Sequence, residues 1–289
     1  MNRSYEAFAA EPEYLELNRR FIETVPFSDA GTVLDLACGT GTLTFMVQEC
    51  IAAAQQNQAG SRDHELAVIA CDISRESLEV AKLDRNSAHR AGLPAVSLIQ
   101  TSAEHLPFAS EALDLVIIGN AIQLFDNKEA AILDVYRVLR CGGILAFNTS
   151  FYAGTFVPGT ERFYLNWVQE AYRYVADHTS GGDDQAPRRR RKDSSRPAFS
   201  RPWFSKEEYR DLLTQNGFTV QSVTERVALL TEHSFQSIGS YAGLSTILLR
   251  GYPPELASEA LEKSAGRALA SVGMNTIPRN WVEFIAKRD

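Results

Sequence analysis

The run Asp35-Leu36-Ala37-Cys38-Gly39-Thr40-Gly41 puts an acid inside an apolar stretch and two glycines, one residue apart, just after it. A glycine has no Cβ, so a ligand can come up against its backbone. Where a strand turns into a helix, the free amides of the first helical turn also point outward. The stretch from Thr32 to Ala37 reads as a strand and the one from Leu43 onward as a helix, so Gly39 and Gly41 sit at such a junction and can receive an anionic or polar group. A dinucleotide fingerprint asks for a third glycine at position 44, for close helix packing. Thr44 stands there, so the glycine pair says little for a nicotinamide cofactor. A second acid, Asp72, ends the apolar run IACDIS; it reads either as a ligand-binding acid or as a strand-end cap for the helix-like SRESLEVAK.

These residues need a scaffold. TVLDLA, LAVIACDI, VSLIQT, LDLVIIG and GGILAFNTS recur with helix-like stretches between them, and that alternation means a parallel sheet. LVIIG and ILAF are apolar throughout, as suits strands covered on both faces. The chain to about Ser150 is therefore expected to be a doubly wound α/β unit. The second half is less regular. TERFYLNWVQEAYRYV looks helical, with Thr160 and Glu161 at its start. Thr179 to Pro197, which includes the basic run Arg188 to Lys192, holds almost nothing apolar and reads as a solvated, mobile segment. SKEEYRDLLTQNGF carries a serine cap, an acidic first turn and Gly217 at its end. A strand, TVQSVTERVALL, two helical stretches (Ser234 to Leu249, Pro254 to Val272) and a last strand, NWVEFIAKR, complete the chain.

Asp35 to Gly41 resembles the first motif of the class I S-adenosylmethionine-dependent methyltransferases: acid, three residues, Gly, any residue, Gly. Further similarities follow in order. Asp72 and Ile73 resemble the acid for the ribose hydroxyls and the apolar residue on the adenine. TSAEHLPF, with Ser102, Ala103 and Glu104, resembles the stretch at the adenine edge, although Ser102 stands where the family often has Asp. LDLVIIGNAIQLFDN resembles the fourth strand and the loop holding Asn120, and YRVLRCGGILAF the fifth strand with its preceding helix and turn. The resemblance covers about Ala30 to Ser150, and more loosely Ser205 to Phe218 and the last strand. It implies an α/β Rossmann-like fold of seven strands, the last antiparallel, with S-adenosyl-L-methionine bound by Asp35, Ala37, Gly39, Gly41, Asp72, Ile73, Ser102, Ala103, Glu104 and Asn120. In that setting Asp35 steadies the glycine loop, lies toward the cationic end of the cofactor and stays ionised. Four parts are expected along the chain: a helical cap at 1–29, the cofactor core at 30–150, an aromatic lid insertion at 151–204, and completion of the sheet at 205–289 with a helical insertion at about 234–272. The cap resembles segments that close over the cofactor with an aromatic residue, here Tyr5.

The loop Gly119-Asn120-Ala121-Ile122-Gln123 is not the Asn/Asp-Pro-Pro-aromatic run of many enzymes that methylate amino groups. The similarity is instead to the small-molecule branch, such as the ubiquinone and menaquinone C-methyltransferase-like enzymes and natural-product methyltransferases. That implies an apolar or aromatic acceptor methylated at oxygen or carbon. A cyclase or other non-methylating user of the same fold is the alternative. With 45% hydrophobic residues and a formal net charge of -7, nothing favours a nucleic-acid partner. Four scattered cysteines, no leader-like opening and no long apolar run suggest a reducing, cytoplasmic setting without membrane insertion. No metal-ligand spacing is present, and no metal is expected. An acceptor oxygen can call for a base: His105, His178, His233 and Glu161 are candidates, His233 foremost, and none stands in a motif that fixes its role. Tyr152, Phe163 and Trp167 beyond the fifth strand read as an acceptor lid, and equally as lid core or a homodimer interface.

Overall fold

The computed structural model describes residues 9–27, 30–57, 67–90, 93–179 and 203–289. Tyr5 and the Arg188 to Lys192 run lie outside the described residues. Seven strands form one sheet: β1 (Thr32–Leu36), β2 (Ala67–Asp72), β3 (Val96–Gln100), β4 (Leu113–Gly119), β5 (Leu139–Thr149), β6 (Phe218–Thr231) and β7 (Thr276–Arg288), in the order β3-β2-β1-β4-β5-β7-β6. The first five strands pair in parallel, and β5 pairs β7 antiparallel. The chain winds from β1 outward through β2 and β3, then crosses back to start β4 on the other side of β1. Such a switch point opens a crevice at the carboxyl ends of β1 and β4.

The chain divides into two compact units. The first comprises Glu16–Tyr152, Phe204–Arg226 and Trp281–Asp289. In it β1 and β4 are buried almost end to end, because α1 (Pro12–Thr24), α2 (Thr42–Asn57), α3 (Arg75–Arg90), α4 (Lys128–Val138) and α6 (Lys206–Gln215) accompany the sheet. The α6 start is a full capping box: Ser205 accepts from the Glu208 amide while Glu208 accepts from the Ser205 amide. From α6, Tyr209 packs on the stacked rings of Phe147 and Phe284, whose centroids lie 4.8 Å apart.

The second unit comprises Met1–Leu15, Ala153–Trp203 and Val227–Asn280. Its helices are α5 (Glu161–Thr179), α7 (Glu232–Ser240), α8 (Ala242–Leu248) and α9 (Pro254–Val272). The four parts expected along the chain cross these units: the aromatic helix and the late helical insertion, far apart in sequence, share one core, and most of the N-terminal helix belongs to the sheet unit. The expected single helix from Ser234 to Leu249 breaks at Tyr241, whose extended ψ of 117° interrupts the helical ladder.

Of the readings open for Tyr152, Phe163 and Trp167, the described residues show core packing. Phe163 and Trp167 are 1% and 2% exposed and lie in the core of the helical unit. Their rings meet Phe235 at 4.5 and 5.2 Å, and Trp167 Nε1 donates to the Leu261 carbonyl at 2.8 Å. Burying rings of this size, with the indole N–H satisfied, is the favourable outcome. Tyr152 is fully buried in the sheet unit, where its hydroxyl donates to Glu225 at 2.6 Å. None of the three presents an open ring.

Candidate functional site

The carboxyl ends of β1, β2 and β4 bring the motif residues together. Asp35 is the penultimate residue of β1, in register with Ala70 of β2 and Ile117 of β4, and is wholly buried. Thr44, in the first turn of α2, donates its hydroxyl to Asp35 Oδ2 at 2.5 Å; Asp35 Oδ1 is buried and has no hydrogen-bond partner among the described residues. Burial pushes the carboxyl up to about 7, the Thr44 hydroxyl and amide pull the other way, and the Asp72 charge adds to the rise. With no cation beside it, the Asp35 carboxyl thus titrates near neutral pH, and the Gly39 amide of the loop is held by another side chain.

Asp72 holds it. One carboxylate oxygen accepts from the Gly39 amide at 2.8 Å, and the other accepts from the Ser74 amide at 2.8 Å. The same side chain thus pins the glycine loop and shapes the approach to α3. Each carboxylate oxygen has a further lone pair, so a hydroxylated ligand can still bond there. Ala37 at φ 58°, Gly39 at 56° and Gly41 at 94° fold the loop through left-handed conformations. A Cβ added at Gly39 would meet nothing within 4 Å, so the backbone faces open space. Burial first, and the Asp35 and Asp72 charges after it, raise the thiols of Cys38 and Cys71, so both stay protonated and neither is a nucleophile.

Ile73, next to Asp72, is 70% exposed, an unusual place for a large apolar side chain at a strand end. The 101–108 segment is tied to α4: Asp134 accepts from the Leu106 amide, and Arg137 donates to the Leu106 and Phe108 carbonyls. Ser102 Oγ accepts from the Glu104 amide at 3.3 Å, and Ala103 is partly buried against the sheet unit's core. Glu104 is committed to structure, since its Oε1 accepts from the Asn127 amide, where α4 begins.

After β4, Asn120 adopts φ 48° and is 4% exposed. Its amide donates to Asn148 Oδ1 at 2.8 Å, and its own Oδ1 accepts from the Ser150 amide at 2.8 Å. Asn148 in turn donates to Asn18 of α1 at 2.9 Å. Sequence reasoning missed this network, as it missed the Thr44 bond and the Asp134–Arg137 clamp; only the i,i+3 spacing of the last pair offered a local signal.

Of the base candidates, His233, His178 and Glu161 belong to the helical unit, while His105 lies in the 101–108 segment of the sheet unit. His233 is mostly exposed in the helical unit, 3.1 Å from Glu11, and His178 stacks on Tyr174. Glu161 accepts from the Gly159 amide at the start of α5. Among the described residues no cluster of His, Cys, Asp or Glu could hold a metal ion, and no helix is long and apolar enough to cross a membrane.

Comparison with known proteins agrees with this arrangement. A ubiquinone/menaquinone biosynthesis C-methyltransferase of Haemophilus ducreyi is 30% identical over 159 residues, which cover 50% of this chain and 56% of that protein. Its counterpart in Pseudoalteromonas translucida is 29% identical over 167 residues, covering 53% and 61%. The chain thus spans between half and two thirds of the length of these relatives. A crystal structure of a putative methyltransferase from Bacillus halodurans superimposes with a TM-score of 0.55 at 16% identity, covering 94% of this chain and 98% of that one. The [4+2]-cyclase SpnF does so with 0.55 at 15% identity, covering 95% and 80%. At such identities the likeness shows the fold alone. Residues 15–172, more than half of the chain and including the stretches from Asp35 to Asn120 described above, match the sequence model of the ubiE/COQ5 methyltransferase family, and the chain belongs to that family.

Proposed function

We propose that this protein transfers a methyl group from S-adenosylmethionine to oxygen or carbon of a small, largely apolar or aromatic acceptor. The observation that carries the reading is the buried, unbonded Oδ1 of Asp35 behind a glycine loop whose backbone faces open space. A buried carboxylate oxygen without a donor is costly, and a cationic ligand that donates toward it relieves that cost. Asp72 suits ribose hydroxyls, and the exposed Ile73 suits an aromatic base. The residues present therefore fit the cofactor: Asp35, Ala37, Gly39, Gly41, Asp72 and Ile73 would hold it, with Ser102 and Ala103 beside them. When bound, it supplies an activated methyl on a sulfonium centre, so the chain's task is to orient the acceptor, exclude water and handle a proton.

The net charge of -7 supports a small-molecule acceptor over a nucleic acid. The relatives' names support carbon as a target atom alongside oxygen. Calorimetry with S-adenosylhomocysteine tests the cofactor half of the proposal, and one site per chain is the expected result. Incubation with labelled cofactor and a metabolite extract tests the transfer. A labelled small product is expected, whereas binding without transfer of label would favour the cyclase-like alternative.

A further inference from the structure

Gly119 of β4, Asn148 of β5 and Glu283 of β7 lie in one row across three adjacent strands. Two inter-strand spacings, about 10 Å, therefore separate Glu283 from the residue that leads into the Asn120 loop. Residues directly opposite in an antiparallel pair share a face of the sheet. One face of β5 and β7 carries the Phe147–Phe284 stack under Tyr209. The other carries Asn148 and Glu283, and on it Asn148 reaches Asn18 and the Asn120 amide.

Glu283 is 3% exposed, and a carboxylate that deep needs a reason to be there. Its Oε1 accepts from Arg226 Nε of β6 at 2.6 Å. Its Oε2 accepts no hydrogen bond from the described residues. Burial raises the carboxyl above its ordinary range, and Arg226 opposes that rise. Among the described residues the titratable group facing it is Arg226 on β6; Asn148 on β5 and Asn18 on α1 are neutral.

Ligands of open α/β sheets lie at the carboxyl ends of the strands on either side of the switch point. The cofactor residues take the β1–β2 side, which leaves the β4–β5 side for an acceptor. The polar side chains there, Asn120, Asn148, Thr149 and Ser150, are neutral and bonded to one another or to neighbouring backbone. The carboxylate that the sheet brings beside them is Glu283.

We propose that Glu283 is a catalytic residue that takes the proton from the hydroxyl of a phenolic or enolic acceptor, with Arg226 positioning its carboxylate. This rests on the methyl-transfer reading. The acceptor O–H bond breaks and the proton goes to Oε2 of Glu283. The electron pair so released forms the new bond to the methyl carbon, at the oxygen or through the conjugated carbon; in the latter case that carbon then loses its own proton to solvent as the oxygen takes one up, restoring the phenol or enol. The methyl–sulfur bond breaks with its pair staying on sulfur, turning sulfonium into thioether, and the carboxylic acid later returns its proton to solvent.

The experiment uses the full chain with S-adenosylmethionine and two sets of probes: weakly acidic phenols, and nitrophenols already ionised at the assay pH. Glu283→Gln is expected to lower kcat/KM on the weakly acidic phenols by about 100-fold or more, the usual scale for loss of a proton-transfer group, and on the nitrophenols by less than about threefold. The acid limb of its pH profile should flatten, with S-adenosylhomocysteine affinity unchanged. Glu283→Asp keeps the charge and serves if the glutamine variant does not fold; it should show a smaller loss confined to kcat on the weakly acidic set. Equal losses on both sets, no loss on either, or a wild-type protein that binds S-adenosylhomocysteine but methylates no phenol would overturn the role of Glu283. Failure of the wild type to bind S-adenosylhomocysteine would instead sink the methyl-transfer reading beneath it.

Discussion

Thr44 donates its hydroxyl to Asp35 across 2.5 Å, tying the first turn of α2 to the interior of β1. The bond explains why a threonine occupies the position that a dinucleotide fold gives to glycine: here the side chain is needed more than a closer helix. Thr44→Val keeps the shape and removes the donor. At pH 8 it should cost about 2 kcal/mol in denaturant unfolding, since the lost bond is to a charged, buried group. At pH 5, where Asp35 carries a proton, the cost should be smaller, and Thr44→Ser should restore most of it. Equal losses at both pH values would show that the hydroxyl does not act through the carboxylate.

Asp35 also predicts a pH dependence of the ligand-free protein. Its folded pKa is about 7 against an ordinary 3.8, so between those values the native state holds a proton that the unfolded chain has released. Its contribution is complete below the lower value, declines as pH rises, and is gone above the upper one. The whole span amounts to about 4 kcal/mol at most. Asp35→Asn removes this titration, so the stability difference between pH 5 and pH 8 should shrink, while S-adenosylhomocysteine affinity falls at least ~10-fold as a charge-assisted contact is lost. An unchanged pH dependence in urea unfolding would assign the slope to other groups.

Asp72→Ala should weaken S-adenosylhomocysteine binding by about 2 kcal/mol or more, because the ribose contact and the anchor of the Gly39 amide go together. Calorimetry decides it, and unchanged affinity removes Asp72 from the site.

Gly39→Ala separates the loop's backbone strain from its role toward a ligand. The left-handed φ of 56° makes any Cβ unfavourable by about 1–2 kcal/mol, yet that Cβ meets no protein atom. The melting temperature should therefore drop by a few degrees, while cofactor affinity should fall about 10-fold or more because the new methyl stands where the ligand must approach. A variant with native affinity would place the ligand elsewhere.

Trp167→Ala is a stability mutation. The indole fills the core among Phe163, Phe235 and α9, so its loss should cost roughly 3–5 kcal/mol. S-adenosylhomocysteine affinity, measured below the transition, should stay within about threefold. A well-folded variant with native stability would contradict the packing seen here.

The order of strands and helices, the two acids, the glycine loop and the capped start of α6 were legible in the sequence, because each rests on rules that act over a few residues: apolar periodicity, capping, and the absence of a Cβ at a sharp turn. What the side chains then do depended on tertiary structure. Asp72 reaches Gly39 across 33 residues only because β1 and β2 lie in register, and Asn148 meets Asn18 across 130 because α1 returns to the face that β5 shares with β7. The proton on Asp35 depends on complete burial, which no local pattern states. Trp167 reads from sequence as a lid or as a core, and only the packing of α5 on α9 chose the core. Glu283 has no motif at all; the row Gly119, Asn148, Glu283 exists only once three strands distant in sequence have been laid side by side, since inter-strand register is a property of the whole sheet.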